Sequence, residues 1–135
     1  YYKIEFKNKK IVIIGESNLV GKPTKELLIR MGANVKSLNK ETGISGTENA
    51  DILIVAAGSP NLIKAENIKK NAIIIDVGVN RNGSSNKICG DVDFESIKDK
   101  ALGISPTIGG IGPLTVVSLF ENLIEVCKIK SSETK

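Results

Sequence analysis

The sequence predicts an α/β fold: a doubly wound, mostly parallel sheet with helices on both faces. Three observations predict it. Continuous apolar runs recur along the chain, as KIVII at Lys10–Ile14, DILIVAA at Asp51–Ala57 and AIIIDV at Ala72–Val77. Unbroken runs of this length suit central parallel strands covered on both faces, whereas half-wet strands alternate apolar and polar residues. Helix-like stretches separate the runs, and glycine-rich segments follow their ends, so the chain alternates strand, turn and helix.

Residues 1–9 form a lead-in, and residues 10–128 form the domain. The first strand, Lys10–Ile14, stops at Gly15. A helix follows over Lys22–Met31, with Leu27, Leu28 and Met31 at helical spacing, Pro23 in its first turn and Gly32 as its stop. Asn34–Leu38 is the second strand, and 43–49 carries loop chemistry. After the two central runs, the Asn82-Gly83 pair predicts a tight turn into a weaker strand at Lys87–Cys89. Left unpaired in a monomer, that edge strand is a candidate dimer contact. Leu102–Ile104 is another short strand, Val116–Val126 the last apolar helix, and 129–135 a polar tail.

Composition excludes several classes. The 135 residues suit one domain, and 41% hydrophobic content supplies a core that a disordered chain lacks. No apolar run approaches the roughly 20 residues of a membrane span. There is no signal-peptide pattern. The chain opens on Tyr1 rather than Met, so the expectation is a longer natural protein; a cytoplasmic or organellar compartment is expected from its two cysteines, which lack disulfide spacing. A net charge of +4 with scattered lysines and 4% aromatics excludes a nucleic-acid platform, which needs a basic stripe and stacking rings. Cys89 and Cys127 lack metal or disulfide spacing and are expected to be buried, reduced thiols. Histidine is absent, which removes any histidine base and most zinc chemistry from this chain.

Four motifs carry candidate chemistry. Gly15-Glu16-Ser17-Asn18-Leu19-Val20-Gly21-Lys22-Pro23 lies between a strand and a helix, where free backbone N–H groups and the helix dipole face a phosphate. Gly15 permits the turn and Gly21 the close packing of helix on sheet. Ser17 replaces a middle glycine, and its hydroxyl can donate to a phosphate. The plainer reading is an ordinary strand-to-helix turn. Ala56-Ala57-Gly58-Ser59-Pro60 and Asp76-Val77-Gly78-Val79-Asn80 close the next two strands, so all three motifs converge on one crevice at the strands' carboxyl ends. Asp76 is expected to bind loop N–H groups rather than act as a base. Asp91 and Asp93 alternate without further ligands, so a metal is not expected, and Asp93 is a helix cap. Finally, Ser105–Thr115 packs three glycines and two prolines before an apolar helix, the shaped backbone of a ligand-facing loop.

The ordered set GESNLVGKP, NADILIVAAGSP, IIIDVGVN, ICGDVDF and SPTIGGIGPLT resembles the C-terminal half of the bifunctional methylenetetrahydrofolate dehydrogenase/cyclohydrolase family. That family carries GRSxxVGxP, ADIxIxAxGxP, VIDVGIN, GDV and TPVPGGVGPMT in the same order. The resemblance runs from about Lys10 to Val126. It implies a Rossmann-type domain binding NAD or NADP, in an enzyme that oxidises 5,10-methylenetetrahydrofolate to the methenyl form and hydrolyses that to 10-formyltetrahydrofolate. It also implies that the catalytic lysine and its Tyr, Gln and Asp partners lie in a preceding domain, so this chain alone is expected to be inactive. Carried over by position, Gly15, Glu16 and Ser17 sit at the phosphate turn. Asn39 and Lys40 lie near the adenosine ribose, and Ala57, Gly58, Val79 and Thr115 also bind the cofactor. Pro106, Gly109, Gly110 and Ile111 face the folate. The expected partners are the folate substrate, through the preceding domain, and a second copy in a homodimer.

Departures from the pattern bear on cofactor choice. Glu16 stands where NADP-using members place an arginine against the 2′-phosphate, Asn39-Lys40 replaces a His-Ser pair, and Ile108 replaces a proline. A carboxylate at the phosphate turn favours NAD over NADP, while Lys40 pulls the other way. Two other readings remain open at this point: a non-catalytic relative that keeps the fold as a binding or oligomerisation module, and the nucleotide domain of an enzyme like shikimate dehydrogenase.

Overall fold

The structure is a computed structural model and describes residues 4–81 and 87–133. In chain order its elements are β1 (Lys10–Ile14), α1 (Gly21–Arg30), β2 (Asn34–Leu38), β3 (Ile52–Val55), β4 (Ile73–Asp76), β5 (Asn80–Arg81), β6 (Ile88–Cys89), α2 (Phe94–Ile97), β7 (Gly103–Ile104) and α3 (Ile111–Glu133). Five strands form one parallel sheet in the order β2-β1-β3-β4-β7. This is the Rossmann-like α/β architecture that the apolar runs predict.

Strand periodicity divides the core into two layers. Ile11, Ile13, Ile52 and Ile54 point to one face and pack with Leu28 of α1 and with Phe6. Val12, Ile14, Leu53, Val55 and Ile74 point to the other, where Ile63, Ile68 and Ile97 of α2 cover them. Each fully buried aliphatic side chain contributes about 1.5–3 kcal/mol, which is why β1 and β3, apolar on both faces, lie at the centre. The carboxyl ends of all five strands therefore open on one side.

Several elements differ from the sequence reading. Leu28 packs on the sheet, but Leu27 and Met31 are 58% and 54% exposed, so the apolar stripe of α1 is wider than the surface it meets. The strand at Lys87–Cys89 is not unpaired. Its Ile88 and Cys89 pair antiparallel with Arg81 and Asn80 in a two-stranded ribbon, because the nearest strand in sequence is the first able to satisfy its backbone groups. The Asn82-Gly83 turn lies outside the described residues. Within 43–49, Thr47–Asn49 makes a 3-10 turn.

The last helix starts five residues earlier than its apolar run suggests. Gly112 and Pro113 fall in its first turn, where backbone N–H groups lack intrahelical partners and proline costs nothing. It also continues through the expected polar tail to Glu133. Phe120 and Leu123 on α3 are 62% and 58% exposed, so this apolar helix stands off the sheet. For the same reason Cys127 is exposed, against expectation, while Cys89 is half-buried. Among the described residues no helix is long and apolar enough to cross a membrane.

Candidate functional site

From β1 the chain crosses to β2 on one side, then returns to lay β3 on the other. The carboxyl ends of β1 and β3 diverge at this reversal, and open α/β sheets bind ligands at such a point. A cavity of about 480 Å³ lies there. Gly15, Glu16 and Ser17 line it from the turn after β1, Asn39 and Lys40 from the end of β2, and Ala57 and Ser59 from the end of β3.

The turn after β1 is fixed by contacts that only glycine allows. Gly15 has φ of 103° and donates its N–H to the Leu38 carbonyl at 2.8 Å. A Cβ atom there would lie 2.1 Å from the Ala56 carbonyl oxygen. Gly21 packs against the turn itself rather than the sheet, since its Cβ would lie 1.8 Å from the Gly15 oxygen. The Ser17 hydroxyl accepts the Val20 N–H at 3.2 Å, and the Ser17 carbonyl accepts the Lys22 N–H at 3.1 Å. Among the described residues, the N–H groups of Glu16, Ser17 and Asn18 meet no protein acceptor. Unpaired donors beside the N-terminus of α1 fit a pyrophosphate, and the cavity falls within the range of small-molecule sites.

Glu16 turns its carboxylate toward the end of β2. Ser37 donates its hydroxyl to Oε1 at 2.6 Å and Asn39 donates its amide to Oε2 at 2.8 Å. Lys25 Nζ stands 4.0 Å from Oε1. The Ser37 hydrogen bond, then that of Asn39, then the Lys25 and Lys22 charges hold the Glu16 pKa below the usual carboxylate value. The group is therefore ionised at neutral pH. Lys40 lies exposed at the rim of the same cavity.

The wall after β3 is shaped from a distance. Asp91 is buried, and its Oδ2 accepts the Ala57 N–H at 2.6 Å and the Gly58 N–H at 2.9 Å. Its Oδ1 accepts the Ser59 N–H at 2.8 Å and the Asn80 amide at 2.7 Å. Asp76 accepts the backbone N–H groups of Gly78, Asp91 and Val92, as a loop-binding carboxylate should. Burial pushes its pKa up, against the lowering effect of those three bonds. Asp93 caps α2 by accepting the Ser96 N–H at 3.3 Å. No cluster among the described residues could hold a metal ion.

Six of the expected cofactor residues thus meet at one cavity: Gly15, Glu16, Ser17, Asn39, Lys40 and Ala57. Gly58 adjoins it without lining it. Val79, beyond the end of β4, and Thr115, inside α3, lie apart, as do Pro106, Gly109, Gly110 and Ile111 after β7. One strand separates the end of β4 from β1 and two separate the loop after β7, so the cavity occupies only part of the crevice the motifs suggest. Gly43, Ile44 and Leu62 line it unforeseen. Ile44 and Leu62 also pack against the core, and their apolar character was the only available signal.

A family model described as the NAD(P)-binding domain of tetrahydrofolate dehydrogenase/cyclohydrolase matches residues 1–131. The chain belongs to this family. Its curated relatives include the bifunctional protein FolD of Mycoplasma mobile, 60% identical over 127 residues, which cover 93% of this chain and 45% of the relative. The FolD of Limosilactobacillus reuteri is 49% identical over 93% of this chain and 44% of its own length. The chain thus spans about half the length of the curated relatives it matches. The Campylobacter jejuni FolD crystal structure superposes with a TM-score of 0.91 at 42% identity, covering 96% of this chain and 46% of that one. The Trypanosoma brucei FolD, solved with NADP cofactor and inhibitor, gives 0.87 at 31% identity, over 95% and 46% of the two chains. Membership of the tetrahydrofolate dehydrogenase/cyclohydrolase family sets aside the shikimate-dehydrogenase-like reading and makes this chain an NAD(P)-binding domain.

Proposed function

We propose that this chain is the cofactor half of an enzyme that oxidises 5,10-methylenetetrahydrofolate to 5,10-methenyltetrahydrofolate, with cyclohydrolase activity to 10-formyltetrahydrofolate in the intact protein. The observation that carries the reading is the turn before α1, which lines the cavity at the sheet reversal with Gly15, Glu16 and Ser17 and leaves the Glu16, Ser17 and Asn18 amides without protein acceptors. Family membership supplies the substrate class.

In this reading the amides of Glu16, Ser17 and Asn18 hold the pyrophosphate, and Glu16, Asn39 and Lys40 surround the adenosine ribose. Gly58 and Val79 extend the cofactor track toward β4, and Thr115 meets it from α3. The Pro106, Gly109, Gly110 and Ile111 backbone faces the folate. A nicotinamide bound along this track supplies the hydride acceptor. The chain's own residues bind and orient it, and the catalytic lysine and its partners are those that the family resemblance assigns to a preceding domain. Positioning and proton transfer supply most of such a barrier reduction, so residues 1–135 alone do not turn over. The reading includes a homodimer, with the outer edge of the β5–β6 ribbon as its contact.

The test is spectrophotometric. The intact protein is expected to form methenyltetrahydrofolate with a nicotinamide cofactor, while the 135-residue chain alone does not. An intact protein that binds dinucleotide yet leaves methylenetetrahydrofolate untouched would favour the non-catalytic reading.

A further inference from the structure

We propose that Ser37 and Lys25 act as positioning residues that fix the Glu16 carboxylate at the end of β2, and that this arrangement selects a dinucleotide with a free ribose 2′-hydroxyl. The inference rests on the crevice being a dinucleotide site, and it assigns roles to two residues outside the family's phosphate turn.

Three elements contribute one group each. Lys25 of α1 donates from Nζ to the Ser37 hydroxyl of β2 at 2.7 Å. Ser37 passes its own proton donation on to Glu16 Oε1 at 2.6 Å. The hydroxyl is thereby used in both directions, as acceptor from an ammonium and as donor to a carboxylate, and such charge-assisted bonds are short and directional. Asn39 fixes the other oxygen, Oε2, at 2.8 Å. Glutamate on an exposed turn ordinarily samples many rotamers; bonds to both oxygens hold this one over the carboxyl end of β2.

That position has a known meaning in dinucleotide folds: an acidic group there accepts from the ribose hydroxyls of NAD. Here the acid comes from the turn after β1, not from β2 itself, and reaches the same place through Ser37. A 2′-phosphate would meet a fixed like charge. Lys25 offsets that charge only in part, its ammonium donating to Ser37 and standing 4.0 Å from Oε1. Lys40 lines the cavity, but as a flexible point charge it lacks the forked grip of arginine on phosphate.

The experiment measures dissociation constants of NAD and NADP by calorimetry on the intact protein, with Glu16→Gln, Ser37→Ala, Ser37→Thr and Lys25→Met variants whose folding is checked by circular dichroism. The unmodified protein is expected to prefer NAD by on the order of tenfold, the screened worth of one like-charge contact at an exposed site. Glu16→Gln is expected to erase that preference. Ser37→Ala is expected to reduce it severalfold, while Ser37→Thr, which keeps the hydroxyl, restores it; a purely structural role would not follow the hydroxyl. Should Ser37→Ala fail to fold, Lys25→Met carries the same expectation of a reduced ratio. Equal or tighter binding of NADP by the unmodified protein, weakened by Lys40→Ala, overturns the inference and assigns the choice to Lys40. A ratio unchanged in Ser37→Ala and Lys25→Met also overturns it, leaving the cofactor reading intact. Failure to bind either dinucleotide overturns both.

Discussion

Gly90 lies so close to the carboxylate of Asp76 that a Cβ atom on it would stand 1.8 Å from Asp76 Oδ2. The relationship is reciprocal across the two motifs: a Cβ on Gly78 would stand 2.2 Å from Asp91 Cγ. Each glycine makes room for the other motif's acid. Gly90→Ala is therefore expected to destabilise the domain by at least about 1–3 kcal/mol, the ordinary cost of overpacking. Asp76 cannot swing aside cheaply, because three backbone N–H groups hold it. Urea denaturation measures the loss, and an unchanged midpoint would contradict this packing.

Asp91→Asn tests the long-range support of the cofactor wall. An amide keeps one acceptor oxygen where the carboxylate serves four donors, at Ala57, Gly58, Ser59 and Asn80. At least one N–H is left facing another donor, a loss of about 1–3 kcal/mol for a buried group. Because Ala57 and Ser59 line the cavity, dinucleotide affinity is expected to fall along with stability. Wild-type affinity in a destabilised variant would show that Asp91 supports the fold without shaping the site.

Asp76 gives the domain a specific pH dependence. Its pKa is raised chiefly by burial, so the folded state holds its proton more tightly than the unfolded chain does. Its contribution to stability is fully present below the ordinary aspartate value of 3.8 and is lost as pH rises through the folded value. Asp51 has the opposite sign: the Lys69 hydrogen bond lowers its pKa, and its contribution disappears as pH falls. The difference between wild-type and Asp76→Asn unfolding free energies isolates the first effect. Relative to Asp76→Asn, the wild type is expected to lose stability as pH rises from the ordinary value toward neutrality. A flat difference would contradict the assignment.

Gly15→Ala is expected to abolish dinucleotide binding. The substitution forces a side chain into a left-handed φ of 103° and places its Cβ 2.1 Å from the Ala56 carbonyl, so the turn and the β3 end must separate. Calorimetry on a variant that retains its circular dichroism spectrum checks this. Retained affinity would mean that the phosphate groups lie elsewhere.

What was legible in the sequence were the features that local pattern determines. β1 falls at its apolar run before Gly15 and β2 at the short strand read after the Gly32 stop, and Asp76 and Asp93 bind loop and helix N–H groups as their positions suggest. The hidden features depend on distant partners. Asp91 reaches Ala57, Gly58 and Ser59 across more than 30 residues, and Glu16 reaches Ser37 and Asn39 across more than 20. No period or motif announces such bonds. Leu27 and Met31 show the converse: periodicity reveals an apolar face but not how much surface exists to cover it. The β5–β6 ribbon escaped notice because Asn80 and Arg81 are polar and form only two residues of strand.

The crystal structure of the intact protein with NAD bound tests the central claim most directly. The account predicts the pyrophosphate against the Glu16, Ser17 and Asn18 amides, the adenosine ribose beside Glu16 and Asn39, and the nicotinamide running past the end of β3 toward β4. A dinucleotide seated away from the β1–β3 reversal, with the Gly15–Asn18 turn untouched, would contradict it.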